Sequence, residues 1–129
     1  MVAEGITMKY KVWFDHEKDV LYIQTFDKLG KEEVYGIVND VNKELKGKGP
    51  KQSIVDLTHG SSAMVDREAR KTFREVGTPE AFASEKIAVF GASPTVRMLA
   101  KVILAITGVS KRTRFFKTEQ EALAWLKGE

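Results

Sequence analysis

The stretch SIVDLTHGSSAMVDREARKTF, residues 53–73, decides the fold. It opens on a short apolar run (Ile54, Val55, Leu57) of the kind that forms a buried strand. A polar loop follows, Thr58 to Ser62, with a histidine, three hydroxyls and a glycine. Asp66 then opens a helix whose Ala69, Phe73 and Val76 recur on one side. Strand, loop and helix make one β-α unit. In sheets built from such units, ligands and partners are met at the carboxyl ends of the strands.

Reading toward the N-terminus, Val34, Ile37, Val38, Val41 and Leu45 fall at helical spacing, with Glu32 and Glu33 in the first turn. Gly47 to Pro50 stops that helix. Before it, Met8 to Phe14 alternates, with Met8, Tyr10, Val12 and Phe14 on one face, and Val20 to Phe26 is rich in β-branched and aromatic residues. A polar turn, Asp15 to Asp19, joins the two runs into a hairpin.

Toward the C-terminus, Gly77 and Pro79 end the helix that began at Asp66. Lys86 to Phe90 is another buried-type strand. Ser93 and Pro94 form an N-cap with proline at the first helical position. The helix they open buries Val96, Leu99, Ala100, Ile103 and Leu104, and Gly108 ends it. Thr113 to Phe116 is a last strand, and Thr118 with Glu121 forms a capping box for a final helix carrying Ala122, Leu123, Trp125 and Leu126. The order β-β-α-β-α-β-α-β-α predicts an α/β fold: a mainly parallel, mixed five-stranded sheet with an N-terminal hairpin, covered by four helices.

Composition narrows the function. The 129 residues suit one domain, residues 1–129, with an apolar fraction of 43% and a charged fraction of 30%. With no cysteine, disulfides, thiolate metal sites and cysteine nucleophiles are excluded, which fits a reducing cytoplasm. The longest apolar stretch, around Val102 to Ile106, is too short to span a bilayer, and the N-terminus has no apolar core of a signal peptide. The expectation is a cytoplasmic protein. A net charge of +3 permits an acidic partner without pointing to nucleic acid.

The element order resembles the STAS domain and, within it, the SpoIIAA-like (STAS/SEC14-type) family related to anti-sigma-factor antagonists. The segments that carry the likeness are 55–73, 86–103 (KIAVFGASPTVRMLAKVI) and 114–126 (RFFKTEQEALAWL). The resemblance implies partner recognition through the loop after the third strand and the second helix. It also implies, from its SEC14 side, an apolar, lipid-like ligand under the third helix. In the antagonists a phosphorylatable serine stands at the start of the second helix, in a motif reading roughly Asp-Ser-Ser-Gly. Here Val65-Asp66-Arg67 occupies that place, and Ser61 and Ser62 lie earlier in the loop. The switch residue is therefore not matched, and the expected module is fixed in one charge state.

Thr58, His59, Ser61, Ser62, Asp66, Arg67, Arg70 and Arg74 are the expected partner-binding residues. Arg67, Arg70, Lys71 and Arg74 recur at i, i+3, i+4 and i+7, which gathers them on one side of the helix. The pattern is also that of a solvated face, partly neutralised by Glu68 and Glu75. Ser93, Thr95 and Arg97 surround a helix N-terminus, where free amides suit an anionic ligand; capping alone also accounts for Ser93.

No catalytic set is expected. His59 with the nearby serines and aspartates lacks a nucleophile elbow, and the loop's polar groups suffice to satisfy its own backbone. His16 has no second ligand at metal spacing, so neither metal nor cofactor is expected. Lys111, Arg112, Arg114 and Lys117 flank Phe115 and Phe116, a mixture that can bind single strands, but edge-strand charge and core aromatics explain it as well. The leading expectation is a non-catalytic regulatory or protein-binding module. The alternative is a binder of a small apolar or anionic molecule. A homodimer paired along the hairpin edge is compatible with either.

Overall fold

Alternation in residues 10–25 produces the hairpin. β1 (Tyr10–Asp15) and β2 (Val20–Thr25) pair antiparallel, from Tyr10 opposite Thr25 to Asp15 opposite Val20. The Asp15 carboxylate accepts hydrogen bonds from the Glu17 and Lys18 amides, both at 3.0 Å, which closes the intervening turn. The structure is a computed structural model and describes residues 9–48, 51–60, 65–76 and 84–128. Met8, Gly49, Pro50, Gly77 and Pro79, read above as strand or helix-ending residues, lie outside those ranges.

The remaining elements follow as α1 (Lys31–Leu45), β3 (Lys51–Asp56), α2 (Arg67–Val76), β4 (Ser84–Phe90), α3 (Pro94–Thr107), β5 (Thr113–Phe116) and α4 (Glu119–Leu126), with one 3-10 turn at Ser110–Arg112 before β5. The order is the one the sequence implies. β3 and β4 each start three residues before the first apolar residue of their runs, Lys51 before Ile54 and Ser84 before Ile87, because Lys51 and Ser84 pair with each other in the sheet.

The strands lie in the order β1-β2-β3-β4-β5, with every pair after the hairpin parallel. That order dictates the layering. Each β-α-β crossover steps one strand in the same direction, so a constant right-handed sense puts α1, α2 and α3 on the same face. Leu21, Ile23, Val55, Ile87 and Val89 meet them there, against Val34, Ile37 and Val41 of α1 and Ala69 and Phe73 of α2. α4 takes the other face alone, where Ala122 and Leu126 cover Val20, Tyr22, Ile54, Ala88 and Phe90. On that face the Tyr22 hydroxyl donates to Glu119 Oε2 at 2.7 Å, and burial together with that carboxylate pushes the phenol's pKa up.

The helix ends are satisfied as their sequences suggest. The Gly30 amide donates to Glu33 Oε1 (2.6 Å), the Val96 amide to Ser93 Oγ (3.3 Å) and the Glu121 amide to Thr118 Oγ1 (3.2 Å). Gly108 closes α3 in the left-handed region, its amide reaching back to the last carbonyls. Among the described residues no helix is long and apolar enough to cross a membrane.

Candidate functional site

Because β2, β3 and β4 run parallel, their carboxyl ends share one edge of the sheet. The chain leaves β3 there under local restraint. Asp56 Oδ1 accepts from both the Thr58 amide (2.9 Å) and the Thr58 hydroxyl (2.6 Å), while Oδ2 accepts from Gln24 Nε2 at 2.9 Å. The Leu57 amide donates to the Phe90 carbonyl at 3.0 Å, which ties the loop's first residue to the end of β4. Gly91 then passes so close that an added Cβ would lie 3.1 Å from the Thr58 Cα and amide nitrogen. The loops after β3 and β4 are thus packed backbone to backbone.

His59 rests near the exposed ring of Phe26, with centroids 5.7 Å apart. The Asp56 carboxylate is engaged by Thr58 and Gln24, and among the described residues no hydrogen bond joins it to the imidazole. Ser61 and Ser62 lie outside the described residues. Among the described residues no cluster of three or more histidines and carboxylates is placed to hold a metal ion.

The start of α2 is capped as its sequence suggests. Asp66 Oδ1 accepts from the Ala69 amide at 2.7 Å, so this helix start already carries an anion. Asp66→Ala is expected to lower stability by about 1 kcal/mol, measured as a shifted urea midpoint. No measurable change would mean that water serves the freed amides equally well.

From that cap the helix divides cleanly. Ala69, Thr72 and Phe73 are buried, whereas Arg67, Lys71 and Arg74 are exposed and Arg70 is half-buried. Thr72, which the sequence reading did not place, belongs to the inner side and donates its hydroxyl to the Glu68 carbonyl. Among the described residues no carboxylate lies within ion-pairing distance of Arg67, Arg70, Lys71 or Arg74. Glu68 and Glu75 share the helix with them without pairing.

The second group of candidate residues is spread over two surfaces. Ser93 and Thr95 are exposed at the start of α3, with the Ser93 hydroxyl occupied as a cap. Arg97 turns instead toward β5, its guanidinium carbon 5.8 Å from the centre of the Phe115 ring, in an open groove shared with Arg114, Lys117 and Trp125. Its Nε is buried without a hydrogen-bond partner among the described residues. Phe115 packs toward the three-helix face and Phe116 toward α4, so both act as core despite their basic neighbours.

Under α3 lies a partly open cavity of about 140 Å³, lined by the sheet and the inner sides of α1, α2 and α3. Its wall is almost entirely aliphatic, drawn among others from Ile23, Val55, Val89, Leu99 and Ile103. Three hydroxyl residues, Thr25, Ser53 and Thr107, interrupt it. The Thr107 hydroxyl donates to the Leu104 carbonyl at 3.2 Å, but the Thr25 hydroxyl is buried with no partner among the described residues. Thr25 was legible in principle: it is the third inward position of β2 after Leu21 and Ile23.

Comparison with known proteins agrees with this architecture. The SpoIIAA-like family model matches residues 20–127. A Shewanella loihica protein with a SpoIIAA-like fold superposes with a TM-score of 0.65 at 18% identity, over 91% of each chain. A Thermotoga maritima protein described as a putative anti-sigma factor antagonist gives 0.60 at 16% identity, over 92% of this chain and 94% of its own. The anti-sigma factor antagonist SpoIIAA, in its unphosphorylated form, gives 0.59 at 19% identity, over 93% and 97%. At these identities the superpositions speak for the fold. No curated protein sequence matches the chain.

Proposed function

The chain belongs to the SpoIIAA-like family, and we propose that it is a non-catalytic regulatory module that recognises an acidic segment of a protein partner through α2 and the loop before it. The observation that carries this reading is the outer side of α2. Four cations stand there without a carboxylate partner among the described residues, on a helix whose other side is anchored by Ala69, Thr72 and Phe73. Unpaired charges on a fixed helix cost little in solvent and steer an oppositely charged surface into one orientation. The adjoining loop is held by Asp56 and Gly91, so its start is presented in a set position.

The position at which the antagonists carry a phosphorylatable serine holds Asp66 here, already serving as a cap. On this reading the module is constitutive, and its control comes from the partner's side or from another site. Recognition is strongest at low ionic strength and weakens with salt.

Charge reversal provides the test. Arg67→Glu, Arg70→Glu and Arg74→Glu in combination are expected to weaken partner binding at least a hundredfold by surface plasmon resonance. Reversal of Lys43 and Lys46, at the far end of α1, should leave it within twofold. If the α2 triple variant, shown folded by circular dichroism, binds as tightly as the wild type, the surface is not the docking site.

A further inference from the structure

We propose that the free edge of β5 is a docking strand for an acidic, extended segment of a partner protein, which adds to the sheet while cations on both faces hold its carboxylates. The edge itself comes first. β5 ends the strand order, and among the described residues no strand lies beyond it. The Phe116 carbonyl accepts from the Gly91 amide, so Phe116 and, by alternation, Arg114 turn their backbone groups toward β4. Phe115 and Thr113 turn theirs outward. The Thr113 amide is used by the Ser110 carbonyl, and the next outward amide, that of Lys117, by Glu121 Oε1 at 3.1 Å. What remains is the Phe115 amide with the Phe115 and Thr113 carbonyls, a run of groups that one passing strand can bond.

The second observation is the groove beside that edge. Arg97 and Phe115 line it from the three-helix face, and Arg114, Phe116 and Trp125 from the α4 face. A groove that takes its walls from both faces at the last strand runs along the outer side of that strand. Successive side chains of an extended segment point to opposite faces. Two neighbouring acidic residues laid in this groove therefore reach both sets of cations.

The third is the charge. Arg97 and Lys101 lie over the Phe115 ring, each 5.8 Å from its centre, and Lys86 and Arg114 over Trp125, at 5.1 and 5.7 Å. Among the described residues none of the four has a carboxylate within ion-pairing distance. Charges that only guard an edge against aggregation need no burial. Yet Arg97 Nε is buried without a partner among the described residues, and a carboxylate taken side-on by the guanidinium satisfies it. The cations lie over ring faces that stacked nucleobases need, which favours a peptide over a single-stranded nucleic acid. Charge also disfavours a second copy of this chain, because two paired β5 edges would set Arg97, Lys101 and Arg114 of both copies against one another.

The full-length protein can be titrated at physiological ionic strength with a labelled peptide, Ser-Val-Glu-Asp-Glu-Val-Thr-Ser, by fluorescence polarisation, while backbone amides are followed by NMR. Saturable binding is expected, with the Phe115 amide shifted and protected from hydrogen exchange. Methylating the peptide's amide nitrogens at alternate residues removes one side's hydrogen bonds at constant charge. One of the two alternating sets should weaken binding about tenfold or more, and the other should leave it within about twofold. Arg114→Gln with Lys101→Gln, both at exposed positions, should weaken it about fivefold or more. Arg67→Gln, Arg70→Gln and Arg74→Gln together should leave it within about twofold, which keeps this edge separable from the α2 surface. Absence of binding at millimolar peptide would overturn the site. Indifference to both methylated sets would reduce the effect to plain charge attraction and overturn the added strand. An oligothymidylate of equal length binding as tightly would overturn the partner class. Concentration-dependent protection of Phe115 without peptide would assign the edge to a second copy instead.

Discussion

Leu21→Ala is expected to cost about 3 kcal/mol of stability, a large share of what a domain of this size possesses. Leu21 is fully buried in β2, between Phe14 of β1 and Ser53 of β3, and it packs under the helices of the three-helix face. It does not border the cavity, so truncation there opens a new void in close-packed surroundings. Leu99 is the informative contrast, half-buried on α3 and already at the edge of empty space. The same truncation at Leu99 should cost less than half as much, since fewer contacts are lost and the added void merges with an existing one. Urea denaturation of both variants measures the difference. Equal losses would show that α3 is seated as firmly as β2, contrary to the exposure of its middle turns.

The contrast also marks where the sequence was readable and where it was not. Caps, turn residues and periodicity act locally, which is why Asp66, Ser93, Thr118 and Gly108 could each be placed from neighbours a few positions away. The layering needed the strand order of the structure: given sequential neighbours, one crossover hand leaves a single arrangement. What the apolar spacing of α3 could not convey is how far that helix stands from the sheet. Leu99, Ile103 and Leu104 read as core in any one-dimensional pattern, and only the three-dimensional fit of their volumes to β2, β3 and β4 leaves a cavity.

The candidate surfaces divide in the same way. Helical spacing alone gathers Arg67, Arg70 and Arg74, so the basic side of α2 was visible beforehand. Arg97 was grouped with Ser93 by proximity in sequence, whereas its guanidinium lies over Phe115, an element sixteen residues and more away in the chain. Thr25 carried a period-two signal, but its lack of a partner is a property of everything around it.

Gly91→Val is expected to be the most damaging single change at the carboxyl edge of the sheet, with a loss of roughly 3 kcal/mol or more. Two costs combine. Gly91 sits at φ +81°, where a β-branched residue pays about 1–2 kcal/mol. Its missing Cβ is also the space in which Thr58 sits, and the nearest atoms include backbone that no rotamer change can move. Gly47 separates the terms: at φ +79° it has the same backbone requirement, with nothing within 4 Å of an added Cβ. Gly47→Val should therefore cost about 1–2 kcal/mol, the conformational part alone. The excess at Gly91 measures how tightly the loop after β3 is held against the end of β4. Relief of that contact must push Thr58 away from Asp56, and with it the loop that leads into α2. Partner binding by Gly91→Val should accordingly fall even at temperatures where the variant is fully folded. Equal losses at Gly47 and Gly91 would mean that the two loops yield to each other, and the loop would then not be presented in a set position.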